Sequence, residues 1–247
     1  MEKKSFLSKV NLYARSLLFS IIMSVAVILY SFFCILAYPF PFRYRYAIIA
    51  AFTGAIIWIL KILCHVDYRI EGLENIPKNR VGVVLSKHQS MWETFLLPRI
   101  FWHSAIILKR ELLWMPFFGW GLALIDPIAI NRSDKTSAMK QIITKGKKCL
   151  DAGRWIIMFP EGTRIPYGKI GTYRSGGTRL AVATGYPVIP VAHNAGRYWA
   201  KRGFLKYPGT IQVVIGPLIE TKDKKPEAVL LDVKNWIEDT IKQIDQM

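Results

Sequence analysis

A histidine and a glutamate lie five residues apart just after an apolar run of the sequence. The run is Val81–Ser86, and His88 and Glu93 follow it. A carboxylate beside an imidazole fixes the tautomer and stabilises imidazolium, so that the other ring nitrogen can take a proton from a hydroxyl. Ser90 and Glu93 also have the spacing of a capping box, with Ser90 as the N-cap and Glu93 at the third helical position. The spacing alone leaves both readings open: a general base, or a structural histidine beside a helix cap.

A second polar group follows another apolar run, Trp155–Phe159, and consists of Glu161, Gly162, Thr163 and Arg164. Glycine allows a sharp backbone turn, and arginine presents a planar fork that suits phosphate. Glu161 would orient either that guanidinium or an incoming hydroxyl. The alternative is an ordinary turn with an exposed Arg–Glu pair, which contributes little to stability.

Several common catalytic and metal-binding motifs are missing from the sequence. There is no His-Glu-x-x-His zinc motif, no Walker phosphate loop and no Gly-x-Ser-x-Gly nucleophile elbow. The three cysteines are scattered and predict neither a disulfide framework nor a metal site, so a reducing compartment is the default. We therefore expect no metal ion and no acyl-serine intermediate, and a base that acts on the substrate directly.

A layered α/β domain must bring these polar groups together. After about Asp67, short apolar runs alternate with amphipathic segments, and several runs are apolar throughout, as in strands that helices cover on both faces. Amphipathic patterns predict helices over Asp134–Ala152, with Ser133 as the N-cap, and over a segment near the carboxyl terminus between Val229 and Ile244. Strands are predicted at Val81–Ser86, Ser104–Leu108, Leu122–Ile130, Trp155–Phe159, Val188–Ala192 and Ile211–Ile215.

The amino-terminal part of the chain is strongly apolar. Leu17–Tyr38 is a run of 22 residues without charge, enough to cross a hydrocarbon core of about 30 Å. A second apolar stretch, Ala47–Cys64, follows a turn rich in proline, arginine and aromatic residues. We predict a membrane-anchoring helical hairpin over residues 1–66 and a catalytic domain over residues 67–247. Basic residues flank both stretches, so two spans, one span and a hairpin that dips into one leaflet all stay open.

The chain carries a large positive charge. Lysine and arginine number 34 against 17 aspartates and glutamates, a formal net charge of +17. Residues 131–180 alone hold eleven basic residues and three acidic ones. This charge suits a partner that carries phosphates, which includes nucleic acid, anionic lipid and phosphorylated metabolites. Because no nucleic-acid-binding motif appears and a membrane segment has no role in such binding, we expect no nucleic-acid partner.

Several blocks of the chain, between about Asp67 and Pro217, resemble in order the sequence blocks of the glycerolipid acyltransferase family. The similarity is greatest to the bacterial branch that acylates 1-acyl-sn-glycerol 3-phosphate. One position differs, since the family usually has His-x4-Asp and this chain has Glu93, which is one methylene longer. The blocks are His88-x4-Glu93, Lys109-Arg-Glu-Leu, Pro116-Phe-Phe-Gly, Ile128-Ala-Ile-Asn-Arg132, Phe159-Pro-Glu-Gly-Thr-Arg164 and Val188-Ile-Pro190-Val-Ala.

The resemblance implies an α/β fold in which helices flank a mixed, mainly parallel sheet. It implies transfer of a fatty acyl group from acyl-CoA or acyl carrier protein to the free hydroxyl of lysophosphatidic acid, giving phosphatidic acid in phospholipid biosynthesis. No cofactor is implied, because the acyl donor is a co-substrate. The partners would be membrane lipids, lysophosphatidic acid and the acyl donor. The location would be the bacterial inner membrane, with the active site on the cytoplasmic side.

The resemblance also assigns roles to particular residues. It implies that His88 is the catalytic base and that Glu93 orients it. Pro190 would shape the site of the acyl donor. The glycerophosphate would bind at Glu161, Gly162, Thr163 and Arg164, with Lys109 and Arg132 near the phosphate.

Two other functions stay open at this point. The same chemistry on another acceptor, such as glycerol 3-phosphate or a different lysolipid, is poorly separated by the family motifs. The modest size and the hairpin favour a lysolipid that already lies in the bilayer. A catalytically silent lipid-binding module is the alternative from another class, in which His88 and Glu93 form only a helix cap.

Overall fold

The computed structural model describes residues 6–131 and 135–246, and within them one sheet has seven strands. The strands are β1 Val66–Glu71, β2 Val83–Ser86, β3 Ala105–Lys109, β4 Ile128–Ile130, β5 Ile156–Met158, β6 Val188–His193 and β7 Gly209–Ile215. The helices are α1 Phe6–Ala37, α2 Phe42–Cys64, α3 Trp92–Ile100, α4 Phe118–Ala123, α5 Lys135–Asp151, α6 Gly176–Thr184, α7 Ala195–Tyr198 and α8 Pro226–Gln246. Short 3-10 turns occupy Leu73–Asn75 and Arg110–Trp114.

The strand order places the ends of several strands at one edge of the sheet. The order is β1-β7-β6-β2-β5-β3-β4. The pairs from β6 to β4 are all parallel, β7 runs antiparallel to β6, and β1 is parallel to β7. The predicted mixed, mainly parallel sheet is therefore confirmed. Because parallel strands end on the same side, the segments after β2, β3, β4, β5 and β6 share one edge of the sheet.

Helices cover both faces of the sheet, which explains why its central strands are apolar throughout. Side chains alternate between the faces of a strand. In β2, Val84 packs into a core built with α2 and α3. Its neighbours Val83 and Leu85 pack into the opposite core, built with α5, α6 and α8. Both cores are built of buried apolar side chains, so charged groups beside them require partners.

The two amino-terminal helices form the predicted hairpin, and each is long and apolar enough to cross a membrane, which suggests membrane association. They are not detached from the sheet, however. Buried side chains of α2, including Ile56, Ile57 and Leu60, belong to the same core as β2 and α3. The division between residues 66 and 67 stays a prediction, and α2 packs across it.

The hairpin is also held along the length of α1. In its first half, Ser16 Oγ accepts a hydrogen bond from the Lys206 backbone N–H at 3.0 Å, and the Lys206 ammonium donates to Ser20 Oγ at 3.2 Å. Near its end, Cys34 packs in a small buried cluster with Leu124, just after α4. The part of the chain that follows the hairpin therefore contacts α1 at two places that are 18 residues apart, Ser16 and Cys34.

One predicted strand is wrong over most of its length. The segment Leu122–Ile130 forms the end of α4, a turn and only the three residues of β4. The turn contains Asp126 with a left-handed φ of 45°, and Pro127 follows it without a backbone donor. A short apolar run fits a buried helix and a strand equally well, so the sequence did not separate the two.

Candidate active site

His88 lies in the loop between the end of β2 and the start of α3, at the edge where the parallel strands end. Its Nδ1 donates a hydrogen bond to Glu93 Oε1 at 2.9 Å. The imidazole stacks on the Phe159 ring, with ring centroids 4.0 Å apart and planes inclined by 18°. Across residues 6–131 and 135–246, Nε2 has no hydrogen-bond partner, and 14% of the side chain is exposed. The contacts therefore fix the ring and leave Nε2 for another molecule.

Glu93 is a buried carboxylate held by several donors. Its Oε1 accepts from the backbone N–H groups of Gln89 at 2.8 Å and Ser90 at 2.7 Å, besides His88. Burial opposes ionisation, but the imidazoles of His193 and His88 and the Ser90 N–H outweigh it, so the pKa of Glu93 lies below its usual range. An ionised Glu93 can stabilise His88 as imidazolium. The Glu93 side chain is one methylene longer than that of aspartate, and it reaches hydrogen-bond distance of His88 Nδ1 at 2.9 Å.

The capping box is present only in part. The helix α3 begins at Trp92, so its N-cap is Met91 and not Ser90 as predicted. Ser90 Oγ accepts from the Trp92 N–H at 3.2 Å, and Glu93 returns a contact to the Ser90 N–H. Glu93 thus supports the start of the helix and orients His88 with the same oxygen. The two predicted roles of Glu93 are compatible.

Glu161 approaches His88 from the loop that follows β5. Its Oε2 accepts a hydrogen bond from the backbone N–H of His88 at 2.8 Å, and its Oε1 pairs with the Lys87 ammonium at 2.8 Å. Burial raises the pKa of Glu161, and the Lys87 ammonium counteracts that rise. Within the described chain, Glu161 makes no ion pair with Arg164, so its observed contacts position the His88 backbone.

The rest of this loop is joined to the histidine and carries Arg164. Gly162 has a left-handed φ of 66°, which glycine adopts without strain. The Ile165 N–H donates to the His88 carbonyl at 2.7 Å, so the loop is fastened to the histidine on both sides. Arg164 is half-buried and has no ion-pair or hydrogen-bond partner among the described residues. The Lys201 ammonium lies 3.4 Å from Thr163 Oγ1. Because its guanidinium has no partner among the described residues, Arg164 can bind an anion.

The other predicted site residues occupy different places. Lys109 ends β3 at the same sheet edge, with half of its side chain exposed, and pairs with Glu111 at 3.3 Å. Pro190 is buried within β6, where it is in register with Leu85 and accepts the Gly216 N–H. Arg132 lies outside the described residues, as does the predicted N-cap Ser133. The roles of these three site candidates, Lys109, Pro190 and Arg132, stay predictions.

Two buried residues beside His88 were missed from the sequence. His193, at the end of β6, donates from Nε2 to the Lys87 carbonyl at 2.8 Å and accepts the Ala195 N–H at Nδ1. Burial lowers the pKa of His193, and the Glu93 carboxylate counteracts that effect. Lys87 directly precedes His88, and its side chain is only 1% exposed. A charged or imidazole side chain that directly continues an apolar strand was the signal available for both.

The chain is similar in sequence to known acyltransferases. The family model described as Acyltransferase matches residues 67–194. The chain is 46% identical to the 1-acyl-sn-glycerol-3-phosphate acyltransferase of Pseudomonas aeruginosa, over 93% of this chain and 91% of that one. It is 26% identical to the protein of the same name from Cocos nucifera, over 84% of this chain and 67% of that one.

A solved structure is similar along nearly the whole chain. The crystal structure of the 1-acyl-sn-glycerophosphate (LPA) acyltransferase PlsC from Thermotoga maritima superposes with a TM-score of 0.82 at 26% identity. The match covers 97% of this chain and 98% of that one, so it includes both amino-terminal helices. Together with the family model and the Pseudomonas relative, it shows that this chain belongs to the acyltransferase family.

Proposed function

We propose that the protein transfers a fatty acyl group from acyl-CoA or acyl carrier protein to the free hydroxyl of 1-acyl-sn-glycerol 3-phosphate, giving phosphatidic acid. The observation that carries this proposal is His88, whose Nδ1 is bound to ionised Glu93 while Nε2 has no partner among the described residues. The names of the relatives support the acceptor.

In the proposed reaction, His88 is a general base. Its Nε2 takes the hydroxyl proton as the acceptor oxygen attacks the thioester carbonyl carbon. The tetrahedral intermediate then collapses, the carbon–sulfur bond breaks, and the imidazolium returns the proton to the leaving thiolate. Glu93 favours this cycle because its charge stabilises the imidazolium and its contact fixes the tautomer. The proposed reaction uses no cofactor, because the acyl donor is a co-substrate.

We propose direct transfer, without an acyl-enzyme. A covalent route needs a nucleophilic hydroxyl or thiol within hydrogen-bond reach of the base. The nearby serine hydroxyls have other partners, since Ser86 Oγ donates to the Lys87 carbonyl and Ser90 Oγ accepts from Trp92. Neither hydroxyl is bonded to His88 Nε2, which favours the substrate hydroxyl as the attacking group.

The phosphate of the acceptor is assigned to Arg164 and its neighbours. Arg164 follows Glu161 in the loop that is fastened to His88 through Ile165. A guanidinium can grip a phosphate with two parallel hydrogen bonds. Fixing the phosphate there would place the glycerol hydroxyl near the histidine, because the two groups are only a few bonds apart.

We propose that the hairpin lies in one leaflet of the membrane, which in a bacterium would be the cytoplasmic leaflet of the inner membrane. Ser16 and Cys34 of α1 are 18 residues apart, about 27 Å along a helix, and both contact the catalytic part of the chain. A helix crossing a bilayer would carry one end about 30 Å away from that part. The acyl donors are cytoplasmic molecules, which favours the same side.

The test is product analysis with purified protein in detergent. We expect labelled phosphatidic acid from lysophosphatidic acid and labelled acyl-CoA or acyl carrier protein, and little product from glycerol 3-phosphate. His88→Ala should lower turnover by on the order of 10²- to 10⁴-fold, the usual weight of a positioned general base. His65→Asn is the control, because His65 is exposed and has a φ of 54° that asparagine tolerates.

Two results would contradict the proposal. Acylation of glycerol 3-phosphate in preference to the lysolipid would reassign the acceptor. Near-normal turnover in His88→Ala, with circular dichroism showing an intact fold, would remove His88 from the reaction.

A further inference from the structure

A lysine ammonium is buried directly behind the catalytic loop. The Lys87 side chain is only 1% exposed. Its Nζ pairs with Glu161 Oε1 at 2.8 Å and with Glu238 Oε1 at 2.7 Å, and lies 3.4 Å from the Lys169 carbonyl oxygen. The Lys87 ammonium also faces the Tyr173 ring, with 5.7 Å between Nζ and the ring centroid. One ammonium thus joins three segments of the chain: the end of β2, the loop between β5 and α6, and α8.

Glu238 brings the last helix into this cluster. It lies in the middle of α8, and its side chain is 11% exposed. The Tyr173 hydroxyl donates to the same Glu238 oxygen at 2.6 Å. Burial, followed by this hydrogen bond to Glu238, raises the pKa of Tyr173, so its hydroxyl stays a donor. The glutamate is therefore held by the lysine and by the tyrosine together.

Burying the charges of this cluster costs free energy. Transferring charges out of water costs several kcal/mol per ion, and apolar side chains of similar volume often give equal or greater stability. A fully partnered group of buried charges can fix one arrangement of the groups around it. The functional residue next to this cluster is His88, the proposed general base.

Glu161 links the cluster to the His88 backbone. Glu161 uses one oxygen for the Lys87 ammonium and the other for the His88 N–H at 2.8 Å. The Lys87 backbone is itself fixed, because its N–H donates to the Val191 carbonyl at 3.0 Å and its carbonyl accepts from His193. The path from α8 to the histidine therefore runs through Glu238, Lys87 and Glu161.

We infer that Lys87 and Glu238 are positioning residues for the acyl transfer, and that α8 sets the place of His88 through the Lys87 ammonium and Glu161. The inference rests on the proposed role of His88 as the base. Neither residue touches the substrate. A displacement of about 1 Å at a reacting group can cost on the order of 10²-fold in rate, which is the scale of effect that a positioning residue has.

The central variant is Lys87→Met, which keeps the length of the side chain and removes the ammonium. It leaves Glu161 and Glu238 buried without their counter-charge, so we expect Glu161 to shift and to release the His88 N–H. We expect kcat to fall by about 10²-fold while KM for lysophosphatidic acid changes little. Lys147→Met is the control, because that lysine forms an exposed ion pair with Asp151 on α5.

A second variant tests the helix and covers the case in which Lys87→Met does not fold. Glu238→Gln keeps the size of the side chain and removes one charge from the cluster. We expect a loss of kcat of about tenfold, within the range that removal of orienting groups causes at metal sites. Asp239→Asn, one residue along α8, is the matched control, because Asp239 is exposed and, within residues 6–131 and 135–246, forms its ion pair with Lys242 alone.

Combining the two changes separates a network from two independent defects. In Lys87→Met with Glu238→Gln, one of the stranded carboxylates is gone. We therefore expect the double variant to lose no more activity than Lys87→Met alone, whereas independent defects would multiply to about 10³-fold. Multiplied losses would overturn the proposed path from α8 to the histidine.

Amide hydrogen exchange gives a readout that needs no turnover. The His88 N–H is hydrogen-bonded to Glu161, so its exchange should accelerate in Lys87→Met and Glu238→Gln and stay unchanged in Asp239→Asn. If both variants lose only thermal stability and keep kcat and His88 exchange at wild-type values, the inference is wrong. If the wild-type protein shows no acyl transfer, the proposed function fails instead, and the exchange data still test the link.

Discussion

At the scale of single residues, the site depends on one carboxylate oxygen with three donors. Glu93 Oε1 accepts from the His88 ring and from the N–H groups of Gln89 and Ser90. An amide oxygen could accept the same backbone donors but would carry no charge to stabilise imidazolium. The backbone contacts of Glu93 therefore need only an oxygen acceptor, whereas its support of the His88 imidazolium needs the negative charge.

Glu93→Gln should lose activity and change the response to acid. We expect kcat to fall on the order of 10²- to 10⁴-fold. Because folding lowers the pKa of Glu93, its contribution to stability is present above its ordinary pKa and is lost as the pH falls through the folded value. The free energy of unfolding, measured with urea across the acidic range, should fall less steeply in the variant.

The control for this change is Glu220→Gln, since Glu220 forms an exposed pair with Arg80. Full activity in Glu93→Gln would mean that the carboxylate serves only the start of α3.

Arg164→Lys tests the phosphate contact while the charge is kept. Lysine cannot form two parallel hydrogen bonds with a phosphate. We expect KM for lysophosphatidic acid to rise about tenfold and kcat to fall as well, because the phosphate positions the neighbouring hydroxyl. Steady-state kinetics measure both, with Arg179→Lys on the exposed face of α6 as the control. Unchanged kcat/KM would place the phosphate elsewhere, with Lys109 and Arg132 next to be tested.

The sequence predicted the pairing of His88 with Glu93 because five positions span a strand-to-helix junction and its first helical turn. It did not predict the partners of Glu161. Those partners depend on Lys87 being buried and on Glu238, which is 151 residues further along the chain. A local pattern carries no information on which distant carboxylate meets a buried ammonium.

At the scale of elements, the sequence predicted β2, β3, β5, β6 and β7 and the helices α5 and α8 to within a few residues, because their apolar periods are clear. It missed β1, although Val66, Tyr68 and Ile70 alternate with polar residues as in a half-covered strand. The domain boundary had been placed on that segment. The β1 register depends on β7, whose partner residues lie more than 140 positions away.

The helix α4 packs closely against the backbone of the preceding 3-10 turn at Gly119. A Cβ added at Gly119 would lie 2.3 Å from the Leu113 carbonyl oxygen, which is backbone and cannot move aside cheaply. Gly119→Ala should therefore lower the free energy of unfolding by about 1–3 kcal/mol. In Gly121→Ala, on the same helix, the nearest atom would be 3.9 Å away, so stability should hold or rise.

Thermal or urea unfolding of the two alanine variants gives the comparison. Equal loss in both would show that the Leu113 contact does not limit the packing of α4.

At the scale of the whole molecule, the hairpin and the basic surface make separable contributions to membrane binding. Burial of an apolar helix face does not depend on charge, whereas attraction to anionic lipid is screened by salt. We expect the protein to stay with membranes through washes in high salt and in alkaline carbonate, as measured by immunoblot of pellet and supernatant. Release by salt alone would mean that the net charge of +17 holds it there.

The shared core of α2 limits how the enzyme can be made soluble in water. Cutting the chain after residue 66 would strip Ile56, Ile57 and Leu60 from the sheet, and each such buried side chain contributes about 1.5–3 kcal/mol. Their sum approaches the whole stability of an ordinary domain, about 5–15 kcal/mol. A detergent-free form should instead keep both helices and exchange outward side chains of α1, such as Leu7, Phe33 and Leu36, for polar ones.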